Sequence, residues 1–214
     1  MSDALSLAIA ELKRDEAPRL VKERLARGDD PLEILDACRL GMTLVGDRFR
    51  EGDYFLAQLL LSARIFKGAT ALLEPHLAAT GEATTRGRVV LATLKGDIHD
   101  LGKNILATLL RAHGFEVHDL GVGVEPEVLV ERVRELSPEF VGFSTLITVA
   151  FDNMKRAADL LTEAGLRGQL QLMIGGGVTT PMLAEYVGAD FQTTDAAAGV
   201  DFCVRMAAEH AHGS

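Results

Sequence analysis

Residues 89–104 read Val89-Val90-Leu91-Ala92-Thr93-Leu94, then Lys95-Gly96-Asp97-Ile98-His99-Asp100, then Leu101-Gly102-Lys103-Asn104. The first six residues are an apolar run of strand length. The next six form a polar loop with a glycine. From Lys103 to His113 the apolar residues recur with helical period. Strand, loop and helix then repeat down the chain. Phe115–Leu120 reads as strand and Glu125–Leu136 as helix, Phe140–Ser144 as strand and Val149–Ala164 as helix. Leu170–Ile174 is strand and Pro181–Val187 helix, and the short strand Phe191–Thr193 precedes a closing helix over Gly199–Ala208. Such alternation predicts a five-stranded parallel sheet covered by helices on both faces. Right-handed crossovers make it a doubly wound, flavodoxin-like or Rossmann-like domain.

Upstream the pattern changes. Residues 1–79 read as helix, with Leu5, Ile9 and Leu12 on one stripe and Leu20, Val21 and Leu25 on another. Gly28-Asp29-Asp30-Pro31 is a break, with Asp30 placed to cap the next helix and Pro31 at its first position. That helix runs through Leu35, Cys38 and Met42 to Phe49 and ends at Glu51-Gly52-Asp53. A last helix from about Phe55 reaches Leu73 before Pro75. Helices of this length joined by short loops predict an antiparallel four-helix bundle. The expected division is a helical domain over residues 1–80, a small, polar linker over 81–87, and the sheet domain over 88–214.

The chain's 214 residues suffice for two such domains, and 48% hydrophobic content supports their cores. A net charge of −9 argues against a phosphate-binding surface, so no nucleic acid is expected as a partner. No run is long and apolar enough for a membrane span, and the acidic start at Asp3 does not resemble a secretion signal. Cys38 and Cys203 are far apart and read as reduced, buried residues of a cytoplasmic protein.

Parallel sheets bind ligands beyond the carboxyl ends of their strands, so the chemistry is sought in the loops after Leu94, Leu120, Ser144 and Ile174. In the first loop Asp97 lies two residues before His99. It can accept a hydrogen bond from one ring nitrogen and leave the other free as a metal ligand. Gly102, without a Cβ, lets a bulky ligand approach the backbone. An isolated Asp-x-His is more often a polar loop with a solvent-facing histidine. A zinc site has weaker support, because His113 and His118 do not fall at zinc-ligand spacings. Two further loops add to the pattern: Ser144-Thr145-Leu146-Ile147-Thr148 after the third strand, and Gly175-Gly176-Gly177 after the fourth. A tight turn needs one or two glycines; three at a strand end suggest something flat lying against the backbone.

Together these residues resemble the cobalamin-binding domain family. Asp97-Ile98-His99-Asp100-Leu101-Gly102 is followed by 41 residues (103–143), then Ser144-Thr145-Leu146, then 28 residues (147–174), then Gly175-Gly176. The order and spacing match that family's signature. The resemblance implies that His99 replaces the cofactor's own dimethylbenzimidazole as lower ligand of cobalt, with Asp97 behind it. The displaced base would enter the sheet domain as a tail, in a channel lined by Gly102, Ser144, Leu146, Gly175 and Gly176. Gly121 and Val122, with Gly123 and Val124, would lie near the corrin ring, and Asp100, Thr148 and Gly177 are further expected cofactor-binding residues.

The helical half is similar to the cap of cobalamin-dependent methionine synthase and of small corrinoid proteins, through residues 41–49, Gly52–Leu56, Ser62–Arg64 and Leu73–Pro75. By position, Phe49 and Leu56 are the residues that would cover the methyl-bearing face of the corrin. Periodicity alone does not separate this role from ordinary bundle packing. The chain departs from the family at one place. Where methionine synthase has a serine that completes a proton relay behind the Asp–His pair, this sequence has Ala150. The expectation is therefore that Asp97 and water alone handle the proton on His99.

The resemblance implies a methyl-carrying corrinoid protein, whose cobalt cycles between Co(I) and methyl-Co(III) with histidine-on ligation, and which does not catalyse alone. Its expected partners are a substrate-specific methyltransferase, a second methyltransferase acting on tetrahydrofolate or coenzyme M, and a reductive activase. Two other readings share the signature. A B12 light sensor normally adds a DNA-binding domain and a cap tryptophan, and this chain has no Trp. The small subunit of an adenosylcobalamin mutase lacks the helical cap.

Overall fold

Asp30 sets the helical half in place. Its Oδ1 accepts the Leu32 N–H at 2.9 Å, and Pro31 occupies the first turn, where no intrahelical donor is needed. The computed structural model describes residues 3–73, 75–77 and 85–212, with side chains through residue 209. They fall into two compact units, one of Met1–Thr84 with Ala112–Gly114, the other of Thr85–Arg111 with Phe115–Ser214. Of the linker expected over 81–87, residues 81–84 lie outside the described residues. Gly87 already joins the sheet, its carbonyl accepting from Glu116 N–H at 3.0 Å.

The first unit contains α1 (Ala4–Ala10), α2 (Glu16–Arg27), α3 (Pro31–Glu51) and α4 (Leu56–Thr70). Ile9, Ile34, Met42, Val45 and Leu59 are fully buried and form its core. α1 and α3 come so close at Gly41 that an added Cβ would lie 2.8 Å from Ser6 O and from Ile9 Cβ. Leu12 departs from the expected stripe. α1 stops at Ala10, and Leu12 turns to φ +60. The cause is long-range. The Arg48 guanidinium (2.7 Å) and the Tyr54 hydroxyl (2.7 Å) both donate to the Ala10 carbonyl, closing the helix end from α3 and the loop after it.

The second unit alternates β1 (Arg88–Thr93), α5 (Leu101–Ala112), β2 (Glu116–Asp119), α6 (Pro126–Leu136), β3 (Phe140–Ser144), α7 (Phe151–Glu163), β4 (Gln171–Gly175), α8 (Pro181–Val187), β5 (Phe191–Thr193) and α9 (Ala196–His212). All strand pairs are parallel, in the order β2-β1-β3-β4-β5. One face presents Val90, Ala92, Val141, Phe143, Leu172 and Ile174 to Leu129, Met154 and Leu161 of α6 and α7. On the other face Phe140 meets Phe115 edge-on at 5.7 Å, and Met173 Sδ lies 3.9 Å from Cys203 Sγ in α9. The helix expected from Val149 begins as a 3-10 turn over Thr148–Ala150.

This strand order fixes where a ligand can sit. From β1 the chain goes outward to β2, then crosses back to β3 on the opposite side. The loops after β1 and β3 diverge and leave a crevice beyond the paired ends Thr93 and Ser144.

Candidate functional site

Asp97 and His99 stand at that crevice. Asp97 Oδ1 accepts the His99 backbone N–H at 2.8 Å, a turn that aspartate forms with the residue two places on. The same oxygen lies 2.6 Å from His99 Nδ1. An ionised carboxylate can only accept, so Nδ1 carries the proton and Nε2 presents its lone pair. The imidazole is about half exposed, at 49%, while the Asp97 side chain is fully buried. Nε2 has no partner among the described residues.

The loop after β3 serves the other carboxylate oxygen. Asp97 Oδ2 accepts from Leu146 N–H at 2.6 Å, from Thr145 Oγ1 at 2.8 Å and, more weakly, from Ile147 N–H at 3.3 Å. Burial of Asp97 works against its charge. The hydrogen bonds from the His99 and Leu146 backbones, the His99 ring and the Thr145 hydroxyl outweigh it and hold the carboxyl well below the usual range. Ala150 is buried and has no hydroxyl. Thr145, at the end of the third strand, instead donates a hydroxyl to Asp97, a contact absent from the expectation of Asp97 and water alone. The sequence reading missed it because it compared positions within one family pattern. The available signal was a buried carboxylate at one strand end facing a hydroxyl residue at the end of the neighbouring strand.

The loop after β2 folds back onto β1. Thr93 N–H donates to Gly121 O at 3.0 Å, and Lys95 N–H to Val124 O at 2.9 Å. Buried Lys103 braces this loop by holding both oxygens of Asp119, at 2.5 and 2.6 Å, while Asp119 Oδ1 also takes the Gly121 N–H. Ile98, Val122 and Leu146 on the loops, Leu101 at the start of α5 and Val149 in the 3-10 turn are all exposed at this end of the sheet. Asp100 is exposed at the start of α5, and Thr148 opens the 3-10 turn.

Beside the crevice a narrow slot, partly open to solvent, runs between the sheet and helices α5 and α9. Gly102, Ser144, Gly175 and Gly176 line it, whereas Leu146 and Gly177 do not. The three glycines differ in purpose. Gly176 has φ +114, and a Cβ there would lie 1.9 Å from Thr145 O. The glycine is therefore required by backbone meeting backbone, rather than by room for a ligand.

A B12 binding domain profile matches residues 87–211, and a second B12 binding domain profile matches residues 1–74. The chain belongs to the B12-binding family of corrinoid proteins. Its cofactor is cobalamin or a related corrinoid. This corrinoid protein is 38% identical to trimethylamine corrinoid protein 2 of Methanosarcina acetivorans over 86% of its own length and 85% of the relative's. It is similar to the crystal structure of a cobalamin-binding protein from Desulfitobacterium hafniense DCB-2, with TM-score 0.81, 38% identity and coverage of 94% and 96%. It also resembles the methanol:cobalamin methyltransferase complex MtaBC from Methanosarcina barkeri, with TM-score 0.80, 28% identity and coverage of 95% of this chain and 78% of that one.

The site suits such a cofactor. A half-exposed imidazole with a fixed tautomer, an exposed apolar rim of a kind that marks binding surfaces, and an adjoining slot are the features a large macrocycle with an arm requires. In the helical unit Phe49 lies near the end of α3, half-buried, and Leu56 is the first residue of α4, 37% exposed. No described helix is long and apolar enough to cross a membrane.

Proposed function

We propose that this corrinoid protein carries methyl groups between a substrate-specific methyltransferase and a second methyltransferase. When bound, the corrinoid supplies the nucleophile that takes up the methyl group and later releases it. The chain's own residues control its surroundings. Asp97 keeps the proton on Nδ1 of His99 and so keeps Nε2 available to cobalt. Thr145 and the Leu146 N–H hold Asp97 in turn. Ile98, Leu101, Val122, Leu146 and Val149 offer apolar surface to the ring, with Asp100, Gly121, Thr148 and Gly177 beside them. Gly102, Ser144, Gly175 and Gly176 receive the nucleotide arm. Phe49 and Leu56 of a cap over residues 1–80 shield the methyl-bearing face from water.

The observation that carries this reading is the half-exposed His99 with Nε2 free and Nδ1 held 2.6 Å from a buried carboxylate. The named relatives are corrinoid proteins for trimethylamine and a methanol:cobalamin methyltransferase complex, which supports a methyltransferase as first partner. A tetrahydrofolate- or coenzyme M-dependent enzyme and a reductive activase complete the cycle in this proposal. The test loads the chain with hydroxocobalamin, reduces it, and adds methylated amines or methanol with their methyltransferases. One donor is expected to methylate the bound corrinoid in equal amount to the chain, and a second methyltransferase is expected to discharge it. Corrinoid that binds but accepts a methyl group from none of them would refute the proposal.

A further inference from the structure

The slot beside His99 is chemically graded along its length. At its inner end, two residues down the strands from Thr93, Ser144 and Gly175, stand Leu91, Gly142 and Met173, and Leu106 and Gly199 complete the apolar lining, so that the side chains there present only carbon and sulfur. The backbone there is already engaged. Gly142 sits in the sheet with Leu91 on one side and Met173 on the other, and the Gly199 N–H bonds the carbonyl of Asp195, the residue just before α9. The tips of Leu91 and Met173 close over Gly142, where a Cβ would meet them at 2.6 and 3.1 Å. Both are ends of flexible side chains, so the floor can yield to a flat group without moving the sheet.

The polar residues of the slot lie toward the strand ends, and most are committed. The Lys103 ammonium is held by both Asp119 oxygens and by Asn104. The Thr193 hydroxyl is shared between Asp195 N–H and Asp195 O, and Asp195 Oδ1 takes the Ala197 N–H. Ser144, two residues nearer the opening than Gly142, has no hydrogen bond to its hydroxyl among the described residues. It can bind a phosphate or ribose oxygen entering from the crevice.

We infer that this slot selects the corrinoid by its lower base. It accepts a flat aryl base of the benzimidazole class, whose edge is mostly carbon, and discriminates against adenine-type bases. The inference rests on the proposed corrinoid site and on the nucleotide arm occupying the slot. An adenine carries an exocyclic amine and several ring nitrogens around its edge. Driven to the inner end, these groups lose water and meet only Leu91, Leu106 and Met173 and the two glycines. A single buried polar group left without a partner weakens binding by roughly tenfold or more. A benzimidazole has its ring nitrogens on one side and a hydrocarbon ring on the other, which matches a polar opening and an apolar floor.

The test titrates the colourless full-length chain with three aquo-corrinoids: cobalamin, its adeninyl counterpart, and cobinamide, which has no nucleotide. Visible spectra report both affinity and the axial ligand. Cobalamin is expected to bind at least tenfold more tightly than the adeninyl form. Leu106→Gln, which adds an amide to the half-buried slot wall, is expected to narrow that ratio. Equal affinity for the two complete corrinoids, with cobinamide weaker, would overturn base selection and leave the arm in the slot. Equal affinity for all three would remove the slot from recognition altogether. Failure of all three to bind would overturn the corrinoid reading itself.

Discussion

Replacing Thr145 by Val removes one hydroxyl and keeps the branched shape, so it isolates that group's hold on Asp97. The Thr145 side chain is buried, and Oγ1 lies 2.8 Å from Asp97 Oδ2 and 2.9 Å from Ile147 O. One hydroxyl proton cannot serve both acceptors. The Ile147 carbonyl is neutral, whereas Asp97 is charged and buried, so the proton belongs mainly to the carboxylate. A hydrogen bond to a charged group contributes about 1.5–3 kcal/mol. The Leu146 and Ile147 amides remain on the same oxygen and soften the loss, which places the expected destabilisation near 2 kcal/mol. For a chain of this length that corresponds to a midpoint shift of roughly 4–8 °C. Thermal and urea unfolding of the corrinoid-free protein, followed by circular dichroism, would measure it. Thr145→Ser keeps the hydroxyl and loses one methyl group, for about 1 kcal/mol. Unfolding of Thr145→Val within about 0.5 kcal/mol of the parent, or a serine variant weaker than the valine one, would refute this role of the hydroxyl.

Three other outcomes are expected. Asp97 has a folded-state pKa below its ordinary 3.8, so its contribution is present above that pH and lost as pH falls through the depressed value. Asp97→Asn should therefore destabilise the corrinoid-free chain most at neutral pH, with a penalty that shrinks below about pH 4; a penalty constant from pH 7 to pH 3 would contradict this. Gly176→Ala should cost roughly 3 kcal/mol or more, because its Cβ collides with the Thr145 carbonyl as well as straining the backbone, whereas Gly121→Ala, at φ +88 with open space around it, should cost about 1–2 kcal/mol, as urea unfolding of both would show. Burial pushes the thiols of Cys38 and Cys203 up to about 12, so a thiol reagent at pH 8 should leave both untouched until the chain unfolds.

Much of this architecture was legible in the chain before any coordinates. Strands ending at Ser144 and Thr193, and a helix over Pro181–Val187, follow from apolar runs bounded by glycine, proline and aspartate. Local chemistry also revealed the Asp30 cap and the reach from Asp97 to His99, because both join residues only two apart. What escaped were features fixed by distant partners. The end of α1 depends on Arg48 and Tyr54, which periodicity around Leu12 cannot register. The hydroxyl on Asp97 comes from Thr145, 48 residues away, and only the pairing of β1 with β3 brings it there. The inner wall of the slot draws Leu91, Leu106, Gly142, Met173 and Gly199 from five elements, each reading locally as ordinary core. The need for glycine at 176 was visible, but its cause was a backbone contact across the sheet end.

The central claim is that Nε2 of His99 bonds cobalt. Electron paramagnetic resonance of the chain loaded with cobalamin in its Co(II) state reads the axial nitrogen directly, through its nuclear splitting. With histidine labelled by nitrogen-15 and the corrinoid unlabelled, the account expects the nitrogen triplet to become a doublet, and the triplet to return for other labelled residue types. A triplet unchanged by histidine labelling would place the cofactor's own base, or another group, on the metal and contradict the account.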